Sequence, residues 1–441
     1  MPTPVTQTLT RTSSKKYTYF IKSKYYPEPY TESLFSSRGN WIKIREQDKG
    51  GRAPPDLNKG DLDQYNSSSN INNKVIDFVW LDSKKFRQDP RYNRLPARLT
   101  NFVTPDRSEI TRKDRLMNNL ALIPGARKYL IPQLNIMLGT GKSQLLVHPE
   151  GVRLMDFRSS IGVYDKSTPH GTGPEIAIRQ SITKFCKPGQ IYIVKPVGGW
   201  LGTGIKIFSE PAEILKYLLD DPAPATSSSA WVIQEYITQP LLLTNPTDGK
   251  KYKFHIRHYY VYQPRPRPSY YLAKGAFAIA KKPYIQDDWL NTEIHDTHFS
   301  EGELWPDDMN PVLSLAQLSS VNKQLGNMYS YLDSVIHAGC YGRHRACFAV
   351  FGVDIMITDK LEVKLLEVNP NPGLDYNLSG LEGPLFASIM SQVVDAHFKP
   401  RNKRPLLDDA NPIQLIKIKR RTQTNHLTGR KTKKKLATKK K

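Results

Sequence analysis

Two carboxylates and an amide stand in stretches that otherwise read as buried strands. FGVDIMI (Phe351 to Ile357) is apolar on both sides of Asp354, and KLLEVNPNP (Lys364 to Pro372) carries Glu367 and Asn369 just ahead of two prolines. An acid among apolar strand residues is costly unless it holds a cation. The turn TDKLE between the stretches suits antiparallel neighbours, so Asp354, Glu367 and Asn369 can meet at one end of a sheet. They would form three hard oxygen ligands suited to Mg²⁺ bridging phosphates. Pro370 and Pro372 end the strand and present Asn369 at its tip.

Cations lie on neighbouring stretches. KPVGGWLGTGIKIF follows a strand with Lys195 and then Gly198, Gly199, Gly202 and Gly204. Glycines let backbone amides wrap an anion and the lysine adds a point charge, which suits a nucleoside triphosphate under a hairpin flap. A plain hairpin turn beside an unrelated lysine is the alternative. In KFHIRHYYV, alternation puts Lys253, His255, Arg257 and Tyr259 on one face. Such a face repels itself unless an anion such as phosphate lies on it; a solvated face is the alternative. WVIQEYI turns polar at Gln234 and Glu235, either to meet a flat heterocycle or to face solvent from an edge strand. LGTGKS (Leu138 to Ser143) lacks the first glycine of a P-loop, where Ile136 stands. His295 and His298 in HDTH have no further His or Cys at zinc-like spacing and read as a loop pair.

Strand signals dominate from Ile191: IYIVKP, GIKIF, WVIQEYI, HIRHYYVY, YYLAKGAFAIA, FAVFGVDIMI and VKLLEV. Helices are expected at 108–122, 313–338 and 385–397, and VIDFVWL (Val75 to Leu81) reads as a buried strand. The mixture predicts an α+β fold with largely antiparallel sheets and flanking helices. With 441 residues and 39% hydrophobic content, two or three domains with polar ends are expected. A formal net charge of +23 points to an anionic partner. Cys186, Cys340 and Cys347 form no CxxC pair or regular framework, so no disulfide scaffold is expected and a reducing compartment fits. No apolar run approaches the ~18 residues of a membrane span, and the N-terminus lacks an apolar signal core. The stretch from Lys417 to Lys441 contains no acid and reads as a disordered basic tail, suited to polyanions or to use as a nuclear address.

In order, RGNWIKIRE, RKDRLMNNL, IVKPVGGWLGTGI, WVIQEYITQPLLL, YKFHIRHYYV, KGAFAIAKKPY and FGVDIMITDKLEVKLLEVNPNP resemble the tubulin tyrosine ligase-like family over about residues 38–398. The resemblance implies an ATP-grasp fold preceded by a small N-terminal α/β domain. The expected divisions are 1–37 poorly ordered, 38–130 N-terminal, 131–190 central, 191–400 catalytic and 401–441 basic tail. It implies a ligase that activates a carboxylate as an acyl phosphate and joins an amino acid to it. Glutamate is the first expectation, with glycine or tyrosine as alternatives, and the implied acceptor is tubulin or another acidic protein tail. ATP and two Mg²⁺ ions are the implied cofactors. Lys195, Lys253 and the loop glycines Gly199, Gly202 and Gly204 would contact the phosphates; Gln234, Glu235, Tyr236 and Ile237 would contact the adenine. Arg257 would meet the γ-phosphate and act with Glu367 in catalysis, and Asp354, Glu367 and Asn369 would hold Mg²⁺. Arg112 and Lys113 match the basic pair on the acceptor side. A cytoplasmic, cytoskeleton-associated monomer is expected, without a membrane and with nucleic acid as an alternative partner of the tail. Three positions depart from the family pattern. His255 replaces a carboxylate expected at the ribose, Ala278 replaces an arginine, and His298 replaces an asparagine. A catalytically impaired binder of acidic tails or nucleic acid is therefore the alternative function.

Overall fold

The computed structural model describes residues 16–22, 35, 38–45, 60–61, 75–81, 89, 92, 95–101, 103–104, 108–137, 144–148, 151–155, 173–197, 204–219, 230–264, 266–272, 275–297, 313–336, 339–340, 346–370, 372, 382–398 and 415–420. A parallel five-stranded sheet comes first, built from β1 (Tyr17–Lys22), β2 (Trp41–Arg45), β3 (Gly60–Asp61), β4 (Ile76–Leu81) and β5 (Ala97–Thr100) in the order β3-β2-β1-β4-β5. All six residues of β4 are buried, as the run VIDFVWL predicts. The segment 1–37 is corrected in part: Tyr17–Lys22 is the middle strand of this sheet, with Tyr19 and Phe20 buried. Basic, polar neighbours mask its short apolar alternation in the sequence. A two-residue strand, β6 (Val103–Thr104), precedes α1 (Ser108–Thr111) and α2 (Lys113–Ala121). The helix expected over 108–122 thus breaks at Arg112, whose backbone is extended (φ −87°, ψ 126°).

A six-stranded sheet follows, ordered β11-β10-β12-β7-β8-β9, from β7 (Gln133–Met137), β8 (Gln144–His148), β9 (Gly151–Met155), β10 (Tyr192–Pro196), β11 (Lys206–Phe208) and β12 (Ala230–Glu235). Every adjacent pair is antiparallel. The sheet runs across the division expected at 190/191. Helices α3 (Gly173–Phe185) and α4 (Pro211–Leu219) supply Ile178, Ile182, Ile214 and Leu218 to its core beside Leu134, Val194 and Ile233.

The third sheet contains β13 (Leu242–Thr244), β14 (Lys251–Tyr262), β15 (Tyr270–Leu272) and β16 (Ala276–Ile279). After α5 (Thr292–His295), α6 (Leu315–Val335) and β17 (Gly339–Cys340), it is completed by β18 (Ala349–Ile357), β19 (Val363–Asn369) and, beyond α7 (Glu382–Phe398), β20 (Leu415–Lys417). Its main path is β19-β18-β14-β15-β20, with β13 and β16 also paired to β14. Helix α6 opens with a capping box at Ser314 and Gln317 and packs Leu325, Met328 and Leu332 into the same core as Ile256, Phe351 and Leu365.

Two expectations change here. Strand β20 docks part of the segment expected to be tail, and Arg420 reaches the buried Asp333 at 2.6 Å while donating to Ser269 Oγ at 2.8 Å. Composition hides this because the docking uses Leu415 and the buried Ile418 inside a Lys/Arg-rich run. Cys340 and Cys347 are joined by a disulfide, Cα to Cα 5.4 Å. Pairing of Cys340 with Val103 and of Cys347 with Thr100 brings them together. No helix among the described residues is long and apolar enough to cross a membrane.

Candidate active site

Arg257 on β14, Asp354 on β18 and Glu367 on β19 are successive cross-strand partners, so their side chains form one row on one sheet face. Asn369, two residues beyond Glu367, extends the row. The register shifts between Asp354 and Ile355: Asp354 opposes Glu367 while Ile355 opposes Leu365. Leu366 is therefore an extra residue, a β-bulge. The bulge puts Leu365 in the core and Glu367 in the site, although strict alternation would give residues two apart the same face. Gly352 opposes Asn369; a Cβ there would come within 2.9 Å of Pro372 and 3.1 Å of Arg257. Its missing side chain lets the guanidinium lie across the strand.

Each acid of the row meets a cation. Arg257 donates to Asp354 through Nε and, at 2.9 Å, through Nη2. Lys113 Nζ lies 3.1 Å from Glu367 Oε2. Asn369 Nδ2 donates to Asp354 Oδ2 at 3.2 Å and to Glu367 Oε1 at 3.1 Å. Burial alone would raise the Glu367 pKa, but Lys113, the Asn369 hydrogen bond and Lys195 together hold it far below the usual range. Two carboxylates and an amide are a hard-oxygen set that fits Mg²⁺, and Asn369, whose Nδ2 here faces both carboxylates, would offer its Oδ1 by turning its amide over.

The row ends at a cavity of about 650 Å³. Ile193, Ile207, Phe208, Trp289 and Met356 make its apolar part, and Lys195, Lys253, His255, Asp354 and Glu367 its polar part. This division suits a flat heterocycle joined to phosphates. Lys253 and His255 are buried, which removes the solvated-face alternative. Burial, with Lys113 adding to it and Glu367 and Asp354 opposing, lowers the Lys195 pKa to about 8. Burial and the charge of Lys195, opposed by Asp296, lower that of Lys253 to about 7. Lys253 Nζ donates to Tyr236 Oη. His255 Nδ1 lies 2.5 Å from Thr297 Oγ1, and its Nε2 lies 3.9 Å from Asp354 Oδ1.

Gln234 is buried and committed to the interior, which removes the solvent-facing alternative for it. Lys195 Nζ donates to Gln234 Oε1 at 3.0 Å, and Gln234 Nε2 to Gln133 Oε1 at 3.3 Å. Gln133 Nε2 donates to Asn135 Oδ1 at 2.8 Å, and Asn135 Nδ2 to Asn118 Oδ1 at 3.0 Å on α2. A lysine only donates, so it sets the direction of the chain. Gln133 and Asn135 were missed in the sequence; their one signal is polar alternation within the apolar run IPQLNIM.

Of the other expected residues, Glu235, Tyr236 and Ile237 line the cavity, and burial raises the Glu235 pKa. Gly204 has φ +76° and its carbonyl accepts from Tyr217 at 3.0 Å. Gly198, Gly199, Gly202, His298 and the stretch 138–143 lie outside the described residues. The basic pair divides: Lys113 joins the carboxylate row, while Arg112 makes a bidentate pair with Asp114 at 3.1 and 3.0 Å. Ala278 lies directly opposite His255 across the β14–β16 pairing, so two departures from the family pattern face each other.

A family model described as "Tubulin-tyrosine ligase family" matches residues 97–305 and 335–406. The chain is 27% identical over 270 residues to tubulin polyglutamylase TTLL11 of Homo sapiens, covering 54% of this chain and 36% of that protein. It is 23% identical over 238 residues to tubulin glycylase 3F of Tetrahymena thermophila, covering 49% of this chain and 25% of that one. The chain thus spans about a third of the first relative and a quarter of the second.

Proposed function

Because the chain belongs to the tubulin-tyrosine ligase family, we propose that it is an ATP-dependent amino acid ligase of ATP-grasp type acting on an acidic tail of tubulin. Glutamate is the first candidate for the added residue and glycine the second, in line with a polyglutamylase and a glycylase among its relatives. The observation that carries the reading is the Arg257–Asp354–Glu367 row, set beside the buried Lys253 and the half-buried Lys195 at the polar end of one cavity.

In this reading an acceptor carboxylate oxygen attacks the γ-phosphorus of ATP, the bond to the bridging oxygen breaks, and ADP leaves. The unprotonated amine of the amino acid then attacks the acyl carbon, phosphate departs, and the nitrogen loses a proton to give the amide. Lys195 and Lys253 meet the phosphates, and Arg257 meets the transferred group, since bringing two anions together requires concentrated positive charge. Asp354, Glu367 and Asn369 would hold Mg²⁺, which neutralises phosphate oxygens when bound. Tyr236, Ile237 and the apolar wall would take the adenine. The test is incubation with Mg-ATP, tubulin and labelled glutamate, glycine or tyrosine. Transfer that disappears in Glu367→Gln supports the reading, and no transfer of any of the three removes it.

Ala278 opposite His255 supports a second reading, a binder of acidic tails that has lost chemistry. ATP and tubulin binding without label transfer would favour it. The basic stretch after Arg420 suits polyanions, including nucleic acid, so affinity through it should fall steeply with salt. Truncation after Arg420 tests this and leaves β20 in place.

A further inference from the structure

A buried chain of hydrogen bonds leads away from Lys253, and its far end fixes its direction. The Asp288 carbonyl can only accept, and His295 Nε2 lies 2.7 Å from it, so Nε2 carries the ring proton. His295 Nδ1 is then an acceptor, and Tyr236 O–H, 2.7 Å away, donates to it. The phenol oxygen, its own proton committed, accepts from Lys253 Nζ. Burial lowers the His295 pKa, with Lys253 adding to the effect and Asp288 opposing it, so the ring is neutral at pH 7 and able to accept. The ring is also clamped: Trp289 stacks on it with centroids 5.7 Å apart and planes 21° apart, while Tyr236 and Tyr284 meet it edge-on.

We propose that His295, acting through Tyr236, is the positioning residue that aims Lys253 at the anion-binding end of the cavity. The inference rests on the reading of that cavity as a nucleotide site. A lysine on a flexible four-carbon stem keeps one direction only if its acceptor does. The phenol oxygen is such an acceptor because His295 leaves its proton no second choice. With no base at position 295 the phenol proton is free to turn, and the ammonium form of Lys253 loses a directed partner. His295, which in the sequence is half of an unused histidine pair, thus acts through its tautomer and needs no metal.

The test is calorimetric titration of the full chain with ATP and Mg²⁺ from pH 6.5 to 8.5. His295→Phe keeps a flat ring against Trp289 but removes both nitrogens. It should weaken ATP binding about tenfold, the scale of one charge-assisted hydrogen bond, and move the pH midpoint of binding downward. His295→Asn, whose amide oxygen can stand in for Nδ1, should stay within about threefold of the wild type. Tyr236→Phe cuts the same chain at its middle and should reproduce the loss and the shift seen in His295→Phe. Titration of ATP itself is common to all the proteins and cancels in the comparison. A wild type that binds ATP beside a His295→Phe protein with equal affinity and midpoint overturns the inference alone. So does His295→Asn binding as weakly as His295→Phe, or Tyr236→Phe binding like the wild type. A wild type that binds no ATP overturns the nucleotide reading, and the inference with it.

Discussion

Asp354 and Glu367 are each matched by a cation, Arg257 and Lys113, whereas Lys195 and Lys253 donate to neutral acceptors, the Gln234 amide and the Tyr236 phenol. Each group has one buried member, Asp354 or Lys253, and one half-buried member, Glu367 or Lys195, yet their protonation moves oppositely. Glu367 is held firmly ionised, while both lysines are pushed toward neutrality. The carboxylate row is thus balanced within the protein, and a metal must displace Lys113 and Arg257 to enter it. The lysine pair is poised for an incoming anion, which would raise both lysines and draw protons into the site.

The largest effect is expected on the carboxylate side. Glu367→Gln should lower label transfer by about 10²–10³-fold, the loss expected when a preorganised charge leaves a reaction centre. An unchanged rate in the tubulin assay would remove Glu367 from the chemistry. The pair of Arg420 with the buried Asp333, neither of which lines the cavity, provides a control. Arg420→Leu leaves Asp333 buried without its cation, so unfolding free energy should fall by about 3 kcal/mol, as read by denaturant titration. A smaller loss would mean that burial alone does not make such pairs indispensable. On the lysine side, Lys195→Met and Lys253→Met should each weaken ATP binding by roughly 10–30-fold. Lys253→Arg should not restore it, because a planar fork does not fit a site built for a compact ammonium.

The smallest effect is on stability. Both lysines have folded values, about 8 and about 7, below the 10.5 of an unfolded lysine. Between those values the unfolded chain binds more protons, so stability rises with pH from about 7 toward 10.5, and the cost is greatest below the folded values. The thermal midpoint of Lys253→Met should therefore rise less from pH 7 to 9 than that of the wild type, by roughly 1–2 °C. Equal slopes would place the Lys253 proton elsewhere.

The carboxylate row was legible because charges in apolar strands announce themselves, and TDKLE is too short for anything but an antiparallel return. The amide chain behind Lys195 was not. Gln133 acquires its meaning only by facing Gln234, 101 positions later, across a sheet register that no local pattern records. His295 is not legible in the sequence because its role depends on a backbone carbonyl at Asp288, and carbonyls are invisible in residue types. Strand β1 and the docking of Ile418 and Arg420 are hidden by composition: each is one or two buried residues inside a basic, polar run, where averages outvote individual contacts. The division of Arg112 from Lys113 follows from a helix break that a continuous capping pattern concealed.

One bulge decides which side of β19 is which. Core residues along it are Val363, Leu365 and Val368, a step of two followed by a step of three. Leu366 is the slip between them. With Leu366 kept but the bulge straightened into the ladder, strict alternation would force Leu365 and Glu367 to the same side, so that either the core or the row would lose its member. The strand's message therefore lies in its phase as well as its letters, and in a related chain that stutter would be worth seeking before the acid itself.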